Sequence, residues 1–192
     1  WAFNAAGLMM GWLGTTALAA HIVALNITSI SFMIPFGLGI ASATRVGNLL
    51  GAGKDWVTSG WLSVGVGAAW MLVCGLVLWL GAEPLVHLYV DDPPVALLAA
   101  SLLPIAALFQ LFDGVQAVAA GVLRGAGDTT TPAMVNLLGF WCLGIPAGYW
   151  LGIRGDAGPQ GVWVALVVGL MVVAVLLVAR LWRLGKSGGV RV

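Results

Sequence analysis

Residues 93–124 read PPVALLAASLLPIAALFQLFDGVQAVAAGVLR, an apolar run carrying one charge, Asp113, between Asp92 and Arg124. A helix that crosses about 30 Å of hydrocarbon needs about 20 apolar residues. Residues 93–112 meet that requirement alone, and the same helix can continue to Arg124. Asp113 precedes Arg124 by 11 residues. At about 1.5 Å per residue it lies about 16 Å from that boundary, close to the midplane of the hydrocarbon core. An acid at such depth is costly enough to mark function by default. Gln110 and Gln116 stand three residues either side of it. Each falls about 60° away around the helix, making one polar wedge about 120° wide. The opposite arc, with Ala107, Leu108, Leu111, Val115 and Val118, is apolar.

Similar runs recur outward from this one. Residues 22–44, 56–82, 129–153 and 157–179 are free of charge. With residues 93–112 they make five full spans, and a partial one lies within residues 1–14. The chain opens on Trp1-Ala-Phe-Asn4 without Met or a basic signal region, which reads as a start inside a longer protein. Asp92 before Pro93 and Thr131 before Pro132 are expected helix caps with Pro in the first turn. Gly51, Gly53, Gly125 and Gly127 suit helix C-termini. Pro35, Pro104 and Pro146 fall inside spans and are expected to kink them. The strings Leu49-Leu-Gly-Ala-Gly-Lys-Asp55 and Leu123-Arg-Gly-Ala-Gly-Asp-Thr129 echo each other, and two similar helix-ending turns explain that better than a duplicated unit.

Composition agrees. The 192 residues are 61% hydrophobic and 8% charged, with mean hydropathy +1.05. Soluble domains are about a quarter charged, so a water-soluble core cannot absorb this much apolar surface. The net charge of +1 and the lack of a basic patch argue against nucleic acid as a partner. Cys74 and Cys142 sit singly in apolar runs and read as buried small hydrophobes. Alternating spans place Arg45, Lys54, Arg124, Arg180, Arg183, Lys186 and Arg191 on one side and only Arg154 on the other. The rich side is then cytoplasmic, as is the C-terminus, and the Glu83–Asp92 loop faces outward. Trp56 and Trp182 suit the inner interface, and Trp79, Trp150 and Trp163 the outer.

Among the other polar residues, Asn26, Thr28, Ser29 and Ser31 line a helix running from about Thr16 to Leu50, and Asn136 lies in the next-to-last span. Interhelical hydrogen bonding is their default role, with Asn26 and Asn136 also candidates to line a cavity beside Gln110 and Gln116. His21 is expected near the outer end of its helix, as an interfacial or capping residue rather than a switch. Neither it nor His87 has a second His or Cys at ligand spacing. Gly125-Ala-Gly-Asp128 fits the G-x-G-D string of intramembrane aspartyl proteases, but Asp128 falls in a turn where it caps a helix. With no Ser-His-Asp set, P-loop or dinucleotide fingerprint, the sequence offers no case for an enzyme. Asp113 could serve as neutral interhelical glue. The reading preferred here is a proton or cation acceptor, because binding H⁺ or Na⁺ relieves a buried negative charge.

Four strings, taken in order, resemble one family. They are Ala17-Leu-Ala-Ala-His-Ile-Val-Ala-Leu-Asn26, Ser31-Phe-Met-Ile-Pro-Phe-Gly-Leu-Gly39, Arg45-Val-Gly-Asn-Leu-Leu-Gly-Ala-Gly53, and the run from Asp113 to Thr129. Together they resemble the C-terminal half of the multidrug and toxic compound extrusion (MATE) transporters. The resemblance implies an all-α polytopic bundle, half of a two-lobe, twelve-helix protein, with residues 1–184 as the C-terminal lobe and 185–192 as a cytoplasmic tail. It implies an antiporter of the inner membrane that exports small organic, often cationic, compounds in exchange for Na⁺ or H⁺. Its partners are the bilayer, the coupling cation and the N-terminal lobe; no cofactor is implied. In members that bind the cation in this lobe, an acid on the tenth helix is a ligand, and Asp113 occupies that motif position. It would hold Na⁺ if sodium is the coupling ion. Those members usually add a Glu on the seventh helix, at a position that falls just before Trp1. Two rivals remain: a related flippase or exporter of lipid-linked or polysaccharide precursors, and a channel or structural membrane subunit. No Lys or Arg lies deep in a span to hold a diphosphate, and no filter loop or polar pore repeat appears.

Overall fold

The computed structural model describes residues 2–187. The expected tail beyond Ser187, with Arg191, lies outside the described residues, as does Trp1. A first helix, α1 (Ala2–Trp12), turns at Leu13–Gly14 into α2 (Thr15–Gly51). Next come α3 (Val57–Leu80), the short α4 (Ala82–His87) and α5 (Pro93–Gly125). The fourth long span is α6 (Thr130–Leu138), a π segment (Gly139–Gly144), α7 (Ile145–Gly148) and a second π segment (Tyr149–Arg154). α8 (Gly158–Ser187) closes the bundle and runs three residues into the expected tail. Five of these stretches, including Thr130–Arg154 taken whole, are long and apolar enough to cross a membrane. The connection read as a loop, Glu83–Asp92, begins within the short α4.

α5 is the central post. It packs against α2, α3 and α8, and its buried residues come from all around its circumference. The core divides into two layers along it. One gathers Met10, Ala24, Leu102, Phe109, Trp163 and Leu170; the other gathers Val46, Val118, Leu123, Val173 and Leu181. The tightest crossing is α2 on α5, where Gly39 and Ala43 face Gly121 and Gly125. A Cβ added at Gly121 would strike the Gly39 carbonyl oxygen, and one at Gly125 the Ala43 carbonyl oxygen. Small residues four apart let two backbones meet, which replaces the hydrophobic drive that lipid abolishes.

The helix ends explain the repeated string. Gly53 and Gly127 adopt φ of 64° and 88°, the left-handed region that glycine tolerates. The amide of Lys54 donates to the Leu49 carbonyl at 2.9 Å, and that of Asp128 to the Leu123 carbonyl at 2.9 Å. Both are one Schellman closure, used twice. Gly51 and Gly125 instead end the helices themselves. The caps differ from expectation. Asp92 sits at the N-cap of α5 without a side-chain bond; Pro94 removes the N2 amide, and the N3 amide of Val95 is not taken up. Thr131 is already inside α6, and Asp128 does the capping: its Oδ1 accepts from the Thr131 amide at 3.0 Å. Its Oδ2 accepts from Arg180 Nε of α8 at 2.7 Å.

Partial burial pushes the Asp128 carboxyl up, but the bonds from Arg180 and Thr131 together outweigh it and hold it below the usual carboxylate range. A carboxylate depressed in the fold stabilises above its unfolded value, about 3.9. That contribution is lost as pH falls through the lower folded value. Asp128→Asn is therefore expected to lower stability at pH 7 by about 1 kcal/mol, a figure discounted because Arg180 is partly solvated. The gap to wild type should narrow below about pH 4. Thermal unfolding in detergent at both pH values checks this, and identical midpoints at pH 7 would remove the ion pair from the account.

Pro35 stands in α2 without breaking it. It cannot donate to the carbonyl four residues back, Ser31, and Trp70 Nε1 of α3 donates to that oxygen instead, at 3.0 Å. The chain around Pro146 winds into the two π segments.

Four sequence expectations fail on burial. Trp163 is fully buried, edge-on to His21 (5.6 Å) and Phe109 (5.9 Å), because that face of α8 packs on α2 and α5. Trp56 is also buried, under the C-terminal turns of α8. His21 lies in the core rather than at an interface. Cys142 is exposed and Cys74 half-buried, so neither is a core residue. Trp79, Trp150 and Trp182 are exposed, as belt residues should be.

Candidate functional site

Two turns of α2 and one of α5 build a cavity of about 290 Å³. Asn26, Thr28 and Ser29 come from α2, and Gln110 and Asp113 from α5. Phe3 of α1, Phe32 and Phe109 complete the wall, with the Phe3 and Phe109 rings edge-on at 5.8 Å. The helical repeat accounts for the local choice. Phe109 and Asp113 are four apart and share a face, as do Asn26 and Ser29, three apart.

The hydroxyls of α2 are turned back on their own helix. Thr28 Oγ1 donates toward the Ala24 and Leu25 carbonyls, both at 3.0 Å, and Ser29 Oγ to the Asn26 carbonyl at 2.8 Å. Their lone pairs stay free as acceptors. Ser31 Oγ lies against the Thr28 carbonyl at 2.8 Å and donates to Gln110 Oε1, joining α2 to α5 beside the cavity. Gln110 is buried, and its Nε2 has no partner among the described residues. Asp113 forms no ion pair among the described residues, and no Lys or Arg lines the cavity. The site thus offers a carboxylate, an amide carbonyl and hydroxyl oxygens, the hard donor set that suits a proton or a small hard cation. Its volume is a little below the pockets of about 300–1,000 Å³ that take drug-sized molecules, yet ample for an ion with several waters at about 30 Å³ each.

The expected polar wedge divides. Asn26 and Gln110 join Asp113, but Gln116 and Asn136 do not line its cavity. Gln116 Nε2 donates to Asn136 Oδ1 at 2.9 Å, and Asn136 Nδ2 donates to the Pro132 carbonyl at 2.8 Å. The reason is angular: Gln110 and Gln116 lie on opposite sides of Asp113, so one meets α2 and the other α6. The aromatic wall was not expected. The spacing of Phe109 to Asp113 could have flagged that residue, whereas Phe3 reaches the site only through tertiary folding.

The MatE family model matches residues 1–150. The multidrug resistance protein NorM of Burkholderia vietnamiensis is 46% identical over 188 residues, which cover 94% of this chain and 40% of that protein. The eukaryotic MATE transporter AtDTX14 superposes with a TM-score of 0.89 at 26% identity, over 98% of this chain and 44% of its own. A MATE in the straight conformation gives 0.88 at 16% identity, over 97% of this chain and 42% of its own, a likeness of fold alone. The chain spans about two fifths of the length of the curated relatives it matches, the share of a C-terminal lobe in a two-lobe protein. A family model covering most of the residues, and a shared fold covering nearly all, place this multi-pass helical membrane chain in the MatE, or MATE, family.

Proposed function

We propose that this lobe belongs to a secondary antiporter that exports small organic, often cationic, compounds in exchange for Na⁺ or H⁺. One observation carries the reading: a single acid, Asp113, lines a cavity with Asn26 and Gln110 where no basic residue offsets its charge. The names of the NorM relatives support drug export. The exposed apolar side of α2, with Ile30, Met33, Phe36 and Ile40, suits packing against an N-terminal lobe around a central path. Described basic residues gather at the ends of α2, α5 and α8, which supports an inner-membrane protein with a cytoplasmic C-terminus.

In this mechanism the two lobes alternate between outward- and inward-open states. A cation arriving from outside binds Asp113 and favours the state with low drug affinity; drug arriving from inside favours cation release. The two are linked reciprocally through one equilibrium. Export of anionic lipid-linked precursors is disfavoured, because such a cargo needs cationic walls and none of the described cavities has a Lys or Arg. The test is transport by the full-length protein in vesicles under an imposed Na⁺ or H⁺ gradient. Exchange of an organic cation against one gradient is the expected result. Passive conductance without exchange would make the protein a channel, and transport indifferent to both gradients would sink the antiport reading.

A further inference from the structure

On the arc of α5 opposite Asp113, a groove of about 540 Å³ opens between α3, α5 and α8. Its walls include Trp61, Phe112, Val115, Val178 and Ala179, and Trp182 stands at its end. Phe112 lies 12 residues from Arg124, about 18 Å along the helix and so near the midplane, and the lining on α8 runs from Ala174 to Trp182, about 12 Å toward its C-terminal turns. That is most of the hydrocarbon depth of one leaflet, about 15 Å. No charged side chain enters the groove, but its mouth is basic. Lys186 Nζ lies 3.8 Å over the Trp182 ring, and Arg183 beside it is exposed. Arg180, one turn earlier, is committed to Asp128. Asp55 is in the neighbourhood, since Gly185 packs near Val57. Its Oδ1 already accepts from the amides of Val57 and Thr58, at 3.0 and 3.3 Å.

We infer that this groove is a binding site for one anionic phospholipid of the leaflet at the α8 C-terminus. An acyl chain lies along the apolar floor, the indoles of Trp61 and Trp182 flank the ester region, and the phosphate sits on Lys186 and Arg183. Charge complementarity selects the occupant. An apolar trough inside a bilayer takes any acyl chain, but two cations at its mouth, without an ion pair among the described residues, discriminate among headgroups. The groove also lies away from the exposed side of α2, where the other lobe is proposed to pack, so the two sites do not compete for surface.

The experiment uses full-length protein and native mass spectrometry, with phosphatidylglycerol and phosphatidylcholine of identical acyl chains. One basic side chain near an anionic lipid is worth about fivefold, so a preference of roughly tenfold or more for phosphatidylglycerol is expected. Arg183→Gln with Lys186→Gln should bring the ratio close to one, and Val178→Phe, which fills the groove, should reduce retention of both lipids. Glycerol phosphate should fail to displace the lipid. In vesicles, brominated phosphatidylglycerol should quench fluorescence that is lost when Trp61 and Trp182 are both changed to Phe. Equal retention of the two lipids, a preference that survives the double charge change, displacement by glycerol phosphate, or no such quenching each overturns the assignment. Absent quenching would mean that protein, not lipid, covers this face.

Discussion

Full-length protein carrying Asp113→Asn is expected to insert and fold, yet to lose ion-driven export by tenfold or more, within the ~5–150-fold span of ordinary coupling energies. Asparagine keeps the shape of the side chain and removes its charge. The site then neither accepts a proton nor neutralises a cation, so the ion no longer distinguishes the two states. A ligand that binds both states equally shifts neither, however tightly it binds. Drug binding at equilibrium should change far less, because the cavity around Asp113 has the dimensions of an ion site rather than of a drug-sized pocket. The measurement is paired: substrate affinity in detergent, and gradient-driven transport in vesicles. Wild-type transport would dismiss Asp113 as the coupling acid. Loss of binding together with transport would point to a substrate contact instead.

The largest structural effect is expected at Gly121. A single methyl there would run into the backbone carbonyl of Gly39. Backbone in the middle of a 37-residue helix cannot step aside as a side chain can. Gly121→Ala is therefore expected to force α2 and α5 apart at their closest approach and to cost about 3 kcal/mol, the upper end of ordinary overpacking. The same substitution at Gly65 of α3, where nothing lies within 4 Å of the added carbon, is the control. Gly65→Ala should express and melt like wild type. Comparable folded yield for the two variants, by size-exclusion of detergent extracts, would show that the crossing is looser than described.

Much of the fold was legible because a bilayer imposes length and polarity together. The reading of Thr16–Leu50 falls within a residue of α2 at each end, and α5 starts at Pro93 as the proline required. Both signals are local. What stayed hidden was pairwise. Asp128 could be read as a cap from its turn, but its partner Arg180 lies 52 residues away on another helix. Gly121 and Gly125 form a recognisable small-residue pair, yet nothing local names Gly39 and Ala43 as the surface they meet. Trp163 looked interfacial from its position near a helix end, and it is the lateral packing of α8 that buries it. The candidate site follows the same division. Asp113 was identified from depth alone and Gln110 from its place beside it, whereas the assignment of Gln116 to Asn136 depends on which helix stands on each flank.

The proline in α2 leaves one carbonyl without its own helix to serve it, and a tryptophan on the neighbouring helix takes up that duty. A carbonyl satisfied from outside its own helix is shared property. α2 cannot alter its curvature at Ser31 unless α3 travels along or the indole bond opens, at about 1–3 kcal/mol for the stranded oxygen. The hydroxyl of the same residue grips Gln110 at the edge of the acid's cavity. One residue therefore ties an ion-sized chamber to the posture of two membrane helices, a lever arm with its fulcrum already in place.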